Sequence, residues 1–397
     1  MTTPPAIPDF LDPDTFTPGV PYDAYRHLRE HAPVSWHKPT DAPGYWLLAR
    51  HKDVQTALLD PLTFSSWLGT TVMGEEAPER LEIARLMLIN MDPPQHSRYR
   101  RLISRGLSIR AVERLEPWVR TLCGTLLDRV VQGGTCEFVS QVASPVPVAV
   151  ITEMLGVPEQ DRAPLIRYSN DMIRHAGSEL AQVAAMQMYS YGFQFSAARR
   201  LAPGDDLTSQ ILLAEVDGER LTDVEFNAFF LLLIVAGNET TRNLISGGLL
   251  ALLDNPGELA RLRADPSLLP TAVDELLRYV SPITQFRRTA RRDVELAGQR
   301  LRAGDKVILA HASANRDERV FTQPERLDVG RTPNPHLAFG YGAHLCLGAS
   351  LARLEARVML EELLARTADI ELCGPVTRLP SNFVNGIVSM PVRFRAA

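Results

Sequence analysis

The segment "LTDVEFNAFFLLLIVAGNETTRNLISGGLLALLDNP" restricts the possible folds of this chain more than any other. Thr222 and Glu225 form a T-x-x-E capping box at its start. Asn255-Pro256 supplies the stop. Between them the pattern predicts one helix of roughly 30 residues whose middle is apolar on every side. Such a helix has to be covered all round, so it runs through the centre of a large helical core. It does not predict a membrane span. The longest apolar run, Ala228–Ala236, is far shorter than the roughly 20 residues a bilayer requires.

The flanking sequence fits this frame. From about residue 92 to 280 the pattern is helical almost throughout. "DPPQHSRYRRLISRGL" predicts a helix with Asp92 as N-cap and Pro93 in the first turn. "YWLLARHKDV" reads as a strand and the start of a helix. "TARRDVELAGQRLRAGDKVILAHAS" alternates and turns at Gly298 and Gly304, which predicts β-hairpins. An irregular stretch follows from Asn315 to Pro335, then a last long helix in "SLARLEARVMLEELLART" and strand-like alternation in "GIVSMPVRF". The expected fold class is mainly α with a smaller β portion split between the two ends, with residues 1–397 forming a single catalytic domain. An apolar fraction of 45% over 397 residues suffices for such a core.

Charge and cysteine content exclude several function classes. The net charge of −5 comes without a basic tail or acidic run, which argues against nucleic acid as a partner. The four cysteines, Cys123, Cys136, Cys346 and Cys373, include no C-x-x-C pair and do not make a disulfide scaffold. The N-terminal "MTTPPAIPDFLDPDTF" has no apolar h-region. A soluble, reduced, cytoplasmic protein is expected, monomeric and without a membrane span.

Chemistry concentrates in "FGYGAHLCLG", Phe339 to Gly348. Cys346 stands just before a helix expected to begin near Leu347, whose first N–H groups and dipole favour a thiolate. Gly340, Gly342 and Gly348 permit turns and close approach. A nucleophilic cysteine needs a histidine base, and His344, two residues away on the same loop, is poorly placed for that. A ligand cysteine needs a metal for which one sulfur suffices, and heme iron is that case. The remaining alternative is a structural cysteine.

The pattern F-G-x-G-x-H-x-C-x-G resembles the heme-binding loop of cytochrome P450 enzymes at every fixed position. The resemblance implies a triangular-prism fold with heme b between the long helix and this loop. Cys346 would be the axial iron ligand, with Phe339, Gly340 and Gly348 shaping the loop. "AGNETT" is similar to the family's A-G-x-[DE]-T-[TS]. It implies that Ala236 and Gly237 leave room for dioxygen, Thr240 holds water beside it and Glu239 relays protons. Taken alone, Thr240 can also bend the helix by bonding a carbonyl one turn earlier.

Glu275 and Arg278 of "ELLR" match the family's E-x-x-R pair, a structural element implied to bond Arg326 of "PERL". The heme propionates would be held by His96, Arg100, Arg288 and His344, with Arg287 adjacent to Arg288 as the competing choice. Implied substrate-contacting positions include Trp67, Val72, Met186, Leu232, Ile283 and Phe383, an apolar set that suits a hydrophobic small molecule.

The resemblance implies a monooxygenase, with electrons from a separate ferredoxin served by an NAD(P)H-dependent ferredoxin reductase. Arg98, Arg101, Arg105, Arg353 and Arg357 are expected to form the docking face, unless internal partners such as Glu355 and Glu361 neutralise them. Several phrases look like the branch that oxidises steroids, terpenoids and branched lipids. A tailoring hydroxylase acting on a polyketide or aromatic compound, a peroxide-driven peroxygenase and a heme-binding sensor are the alternatives.

Overall fold

The computed structural model describes residues 7–39, 43–70, 78–104, 106–174, 178–215 and 218–397. Its axis is the helix Asp223–Leu253, 31 residues long and closed at its start by both halves of the Thr222–Glu225 capping box. Phe226, Phe230, Ile234 and Leu252 on this helix are essentially inaccessible. Full burial of each such side chain is worth about 1.5–3 kcal/mol. Gly247 shows how tightly the helix is packed: a Cβ there would come within 2.8 Å of Val280 on the helix Leu269–Val280.

Around this axis lie the helices Glu116–Gly133, Pro145–Met154, Glu159–Arg174, Glu179–Leu201 and Ala349–Arg366. The β portion draws on both ends of the chain, as expected. In the largest sheet the strands lie in the order Val34–His37, Tyr45–Leu48, Lys306–Leu309, Phe286–Ala290, Phe64–Ser65. Only the Tyr45–Leu48 and Lys306–Leu309 pairing is parallel. The hairpin Val294–Leu296/Gln299–Leu301 turns through Ala297 and Gly298, both at positive φ. That is the primed turn whose twist matches the strands.

Two local expectations fail. Asp92 does not cap a helix, because the helix begins at Gln95. Its carboxylate instead accepts from the Ser65 hydroxyl (2.5 Å) and the Ser66 N–H (2.8 Å), tying that strand to the helix entry. The helical stretch is also interrupted by a strand, Thr135–Glu137, which pairs with the C-terminal strand Pro391–Ala396. A three-residue strand is too short to show alternation.

Candidate active site

Two reversals of the backbone build the cysteine loop. Gly340 and Gly342 both sit at positive φ, and a Cβ on Gly342 would meet the Leu58 carbonyl oxygen at 2.6 Å. The Cys346 N–H donates to the Phe339 carbonyl (2.8 Å), closing the loop on itself. The following helix begins at Ala349, two residues later than expected, with Gly348 as its N-cap. Gly348 has an ordinary negative φ, and a Cβ added there would meet nothing within 4 Å. Its smallness therefore serves open space beside the cysteine and not a turn.

Helix-start electrostatics alone do not make Cys346 a thiolate. Cys346 is exposed in the polypeptide, yet the crowding protein atoms around its thiol push it up from the ordinary value, while the Gly348 N–H, Arg100 and Arg353 pull it down. The Gly348 N–H acts in the direction the sequence predicts, toward the thiolate, while desolvation opposes it. A coordinated metal cation removes the thiol proton outright.

Beside Cys346 the fold gathers two arginines and two imidazoles. His96 and Arg100 come from the helix Gln95–Ser104, Arg288 from the strand Phe286–Ala290, and His344 from the loop. The His96 and His344 ring centroids are 4.2 Å apart. Burial, then the field of Arg288, His96 and Arg100, holds His344 at about 2. Burial and Arg100 hold His96 at about 4, and burial brings Arg288 down to about 10. Arg288, and not Arg287, is the residue acting on both histidines. Adjacent residues on a strand point to opposite faces, which is consistent with Arg288 lying on the side of the two histidines. Asp92 is the acid that acts on His96 and Arg288, and the Ser65 and Ser66 donors already engage its oxygens. Ser66 also bonds His344 Nε2 (3.3 Å). Such a cluster fits a ligand bearing two carboxylates, and Gly348 leaves room beside the sulfur. The residues present therefore fit heme.

On the central helix, the Thr240 hydroxyl donates to the Ala236 carbonyl (2.8 Å), and the helix continues unbroken. Glu239 is buried. Its Oε1 accepts from Arg242 and from Asn243 (3.0 Å), while Oε2 has no protein donor. Sequence reasoning missed Arg242 and Asn243, although their i+3 and i+4 spacing from Glu239 was there to be read.

The E-x-x-R pair forms as expected and is wholly buried, with Arg278 donating to both Glu275 oxygens at 2.7 and 2.8 Å. The third arginine is Arg331, not Arg326. Arg331 Nε donates to Glu275 Oε2 (3.0 Å). Arg326 offers only its backbone carbonyl to Arg278, and its side chain, 61% exposed, lies 3.7 Å from Glu258.

Of the expected apolar lining, Trp67, Leu232, Ile283 and Phe383 are half-buried. Phe383 packs edge-on to Phe286, and Ile283 bridges to Val384. Met186 is 65% exposed, and its neighbour Met188 is the buried methionine of that helix. Val72 lies outside the described residues.

The expected docking face is largely neutralised. Arg98 pairs with Glu219, Arg353 with Asp274, and Arg357 with Glu116 and Glu361. Glu355 partners none of them and is buried. Arg105 lies outside the described residues. Arg101 lines an open cleft with His96, Ser97, Arg100, Ser104, Gly342 and Ala343.

Comparison with known proteins shows the family. The cytochrome P450 family model matches residues 161–395, and the chain belongs to the cytochrome P450 family of monooxygenases. Cytochrome P450 126 of Mycobacterium tuberculosis is 41% identical, over 98% of this chain and 97% of its own length. The steroid C26-monooxygenase of that organism is 39% identical, over 99% and 98%. Its methyl-branched lipid omega-hydroxylase is 39% identical, over 93% and 90%. Among solved structures, Mycobacterium marinum cytochrome P450 CYP268A2 in complex with pseudoionone superimposes with a TM-score of 0.87 at 39% identity, covering 94% of each chain. The mainly α fold read from the sequence is the P450 fold.

Proposed function

We propose that this chain hydroxylates a hydrophobic small molecule of the steroid, terpenoid or branched-lipid kind. It uses heme b held by Cys346, dioxygen, and electrons from a separate ferredoxin served by an NAD(P)H-dependent reductase. The observation that carries the reading is the set of four cationic or imidazole side chains, His96, Arg100, Arg288 and His344, assembled beside a single cysteine. The names of the steroid and lipid-oxidising relatives support the substrate class. The apolar side chains Leu232, Ile283 and Phe383 support it too, since such surfaces bind ligands by burying apolar area.

Bound at this site, heme supplies an iron that activates dioxygen, with the thiolate favouring cleavage of the O–O bond. The polypeptide supplies the protons. Thr240 spends its own hydrogen on the Ala236 carbonyl, so its oxygen is left to accept from water. Glu239 is fixed through Oε1, which leaves Oε2 to take a proton from water and pass it inward. The intact Glu239–Thr240 pair favours this chemistry over peroxide-driven turnover.

Cys346→Ser tests the ligand, and Thr240→Ala and Glu239→Gln test the relay. Cys346→Ser should lose the red-shifted Soret band of a thiolate-ligated ferrous–CO complex. Thr240→Ala should keep that band yet release peroxide in place of product, and Glu239→Gln should slow turnover about 100-fold. A thiolate-type band in Cys346→Ser, or full coupling in Thr240→Ala, contradicts the corresponding role.

A further inference from the structure

Asp274 precedes Glu275 on the helix Leu269–Val280, but its carboxylate serves a different set of groups. Arg353, on the last long helix, donates Nε–H to Asp274 Oδ1 at 2.7 Å. His336 Nε2 lies 3.4 Å from the same oxygen. His336 Nδ1 accepts the Ala338 N–H (3.2 Å), which leaves Nε2 as the nitrogen that carries the proton toward Asp274. The Arg353 guanidinium sits over the Phe339 ring, 4.6 Å from its centre. The Phe339 carbonyl in turn receives the Cys346 N–H. One aspartate thus joins two helices and the loop at the ring that opens the cysteine turn. Arg353 is also one of the two cations whose field reaches the Cys346 sulfur.

We propose that Asp274 and Arg353 form an ion-pair clamp that positions Phe339 and sets the charge felt at Cys346, so that the pair tunes the reduction potential of the bound heme. The proposal rests on the heme-thiolate reading. Adding an electron to the site adds negative charge. A fixed cation nearby favours that change and a fixed anion opposes it. Held together, the two fields partly cancel, so removing either partner alone unmasks the other. A side chain that only braced the loop would have no such sign.

The test is a spectroelectrochemical titration of the heme-loaded protein, with the ferrous–CO spectrum recorded for every variant. Arg353→Met keeps an apolar stem over Phe339 but leaves Asp274 uncompensated, and the potential should fall. Asp274→Asn keeps the shape but leaves Arg353 uncompensated, and the potential should rise. The double variant should return toward wild type, and Arg353→Lys should stay near it. Equal potentials throughout, or shifts of the same sign in both single variants, overturn the clamp. If Arg353→Met does not retain heme, Asp274→Asn decides: a raised potential supports the clamp, and an unchanged or lowered one overturns it. A same-direction shift in both single variants counts as bracing alone. A wild-type protein without the thiolate-type CO band would instead sink the heme-thiolate reading, whatever the sign of the shifts.

Discussion

Three side chains show how surroundings redirect a group whose identity is plain in the sequence. Cys346 was recognisable from its loop; it is exposed in the polypeptide, and the Gly348 N–H, Arg100 and Arg353 favour its thiolate while desolvation opposes it. Arg288 was one of two adjacent candidates, and the field it exerts on His96 and His344 singles it out. Glu355 looked like a surface partner for the docking arginines. It is instead buried, close enough for its charge to act on Cys123, and burial raises its carboxyl from about 4.5 to about 8. The sign of the consequence follows from proton counting. Between those values the unfolded chain has released this proton and the folded chain has kept it, so stability falls as pH rises, by about 1.4 kcal/mol per pH unit at most. Glu355→Gln removes that slope. Chemical denaturation should find the variant and wild type alike near pH 4 and the variant more stable near pH 8. A difference that does not change with pH would assign the effect to packing.

Elements were legible where a rule of local chemistry set their ends. The central helix begins at its capping box and stops at Asn255-Pro256 within a residue or two of expectation. The hairpin turn at Gly298 was equally plain. Long-range demands erased other local signals. Asp92 is a good N-cap residue type, yet the serines of a distant strand hold its oxygens. The irregular stretch after Asn315 had no periodicity to constrain it, so its partner for the E-x-x-R pair was assigned to the wrong arginine. The two arginines give a direct comparison. Arg331 is almost fully buried against Glu275, and removing one partner from a buried ion network costs about 3–5 kcal/mol. Arg326 contributes a carbonyl that any residue retains, and its exposed pairing is worth about 1 kcal/mol or less. Arg331→Ala should therefore emerge poorly folded or short of heme, while Arg326→Ala should load heme normally and melt near wild type. The reverse ranking in heme content and melting temperature would restore the original assignment.

At the scale of the whole molecule, chemistry was more legible than selectivity. The cysteine loop, the Ala236–Thr241 turn and the E-x-x-R pair are short motifs, readable because each role admits few residue types. The pocket has no such grammar. Any of several apolar side chains can cover a given area, so Met186 could be named from its region and yet lie mostly exposed. Arg85 stacked on Trp67 (4.6 Å) was likewise invisible in the sequence. An apolar pocket gains about 25 cal/mol per Å² of buried apolar surface before ordering costs. A missing methylene changes affinity by only about 1–3 kcal/mol. Selection by shape is therefore graded, and several related hydrophobes should bind within about 100-fold of one another. A burial-driven pocket penalises a charged ligand much more, because the charge must be desolvated without a partner. Titrating the heme-loaded protein with steroids, terpenoids, branched fatty acyl compounds, an amino acid and a sugar reads this out through the low-spin to high-spin Soret shift. Shifts are expected with several members of the lipid-like set and with neither polar compound. A shift with the amino acid or sugar, together with none from any lipid-like compound, would discard the substrate class and leave the cysteine-loop chemistry untouched.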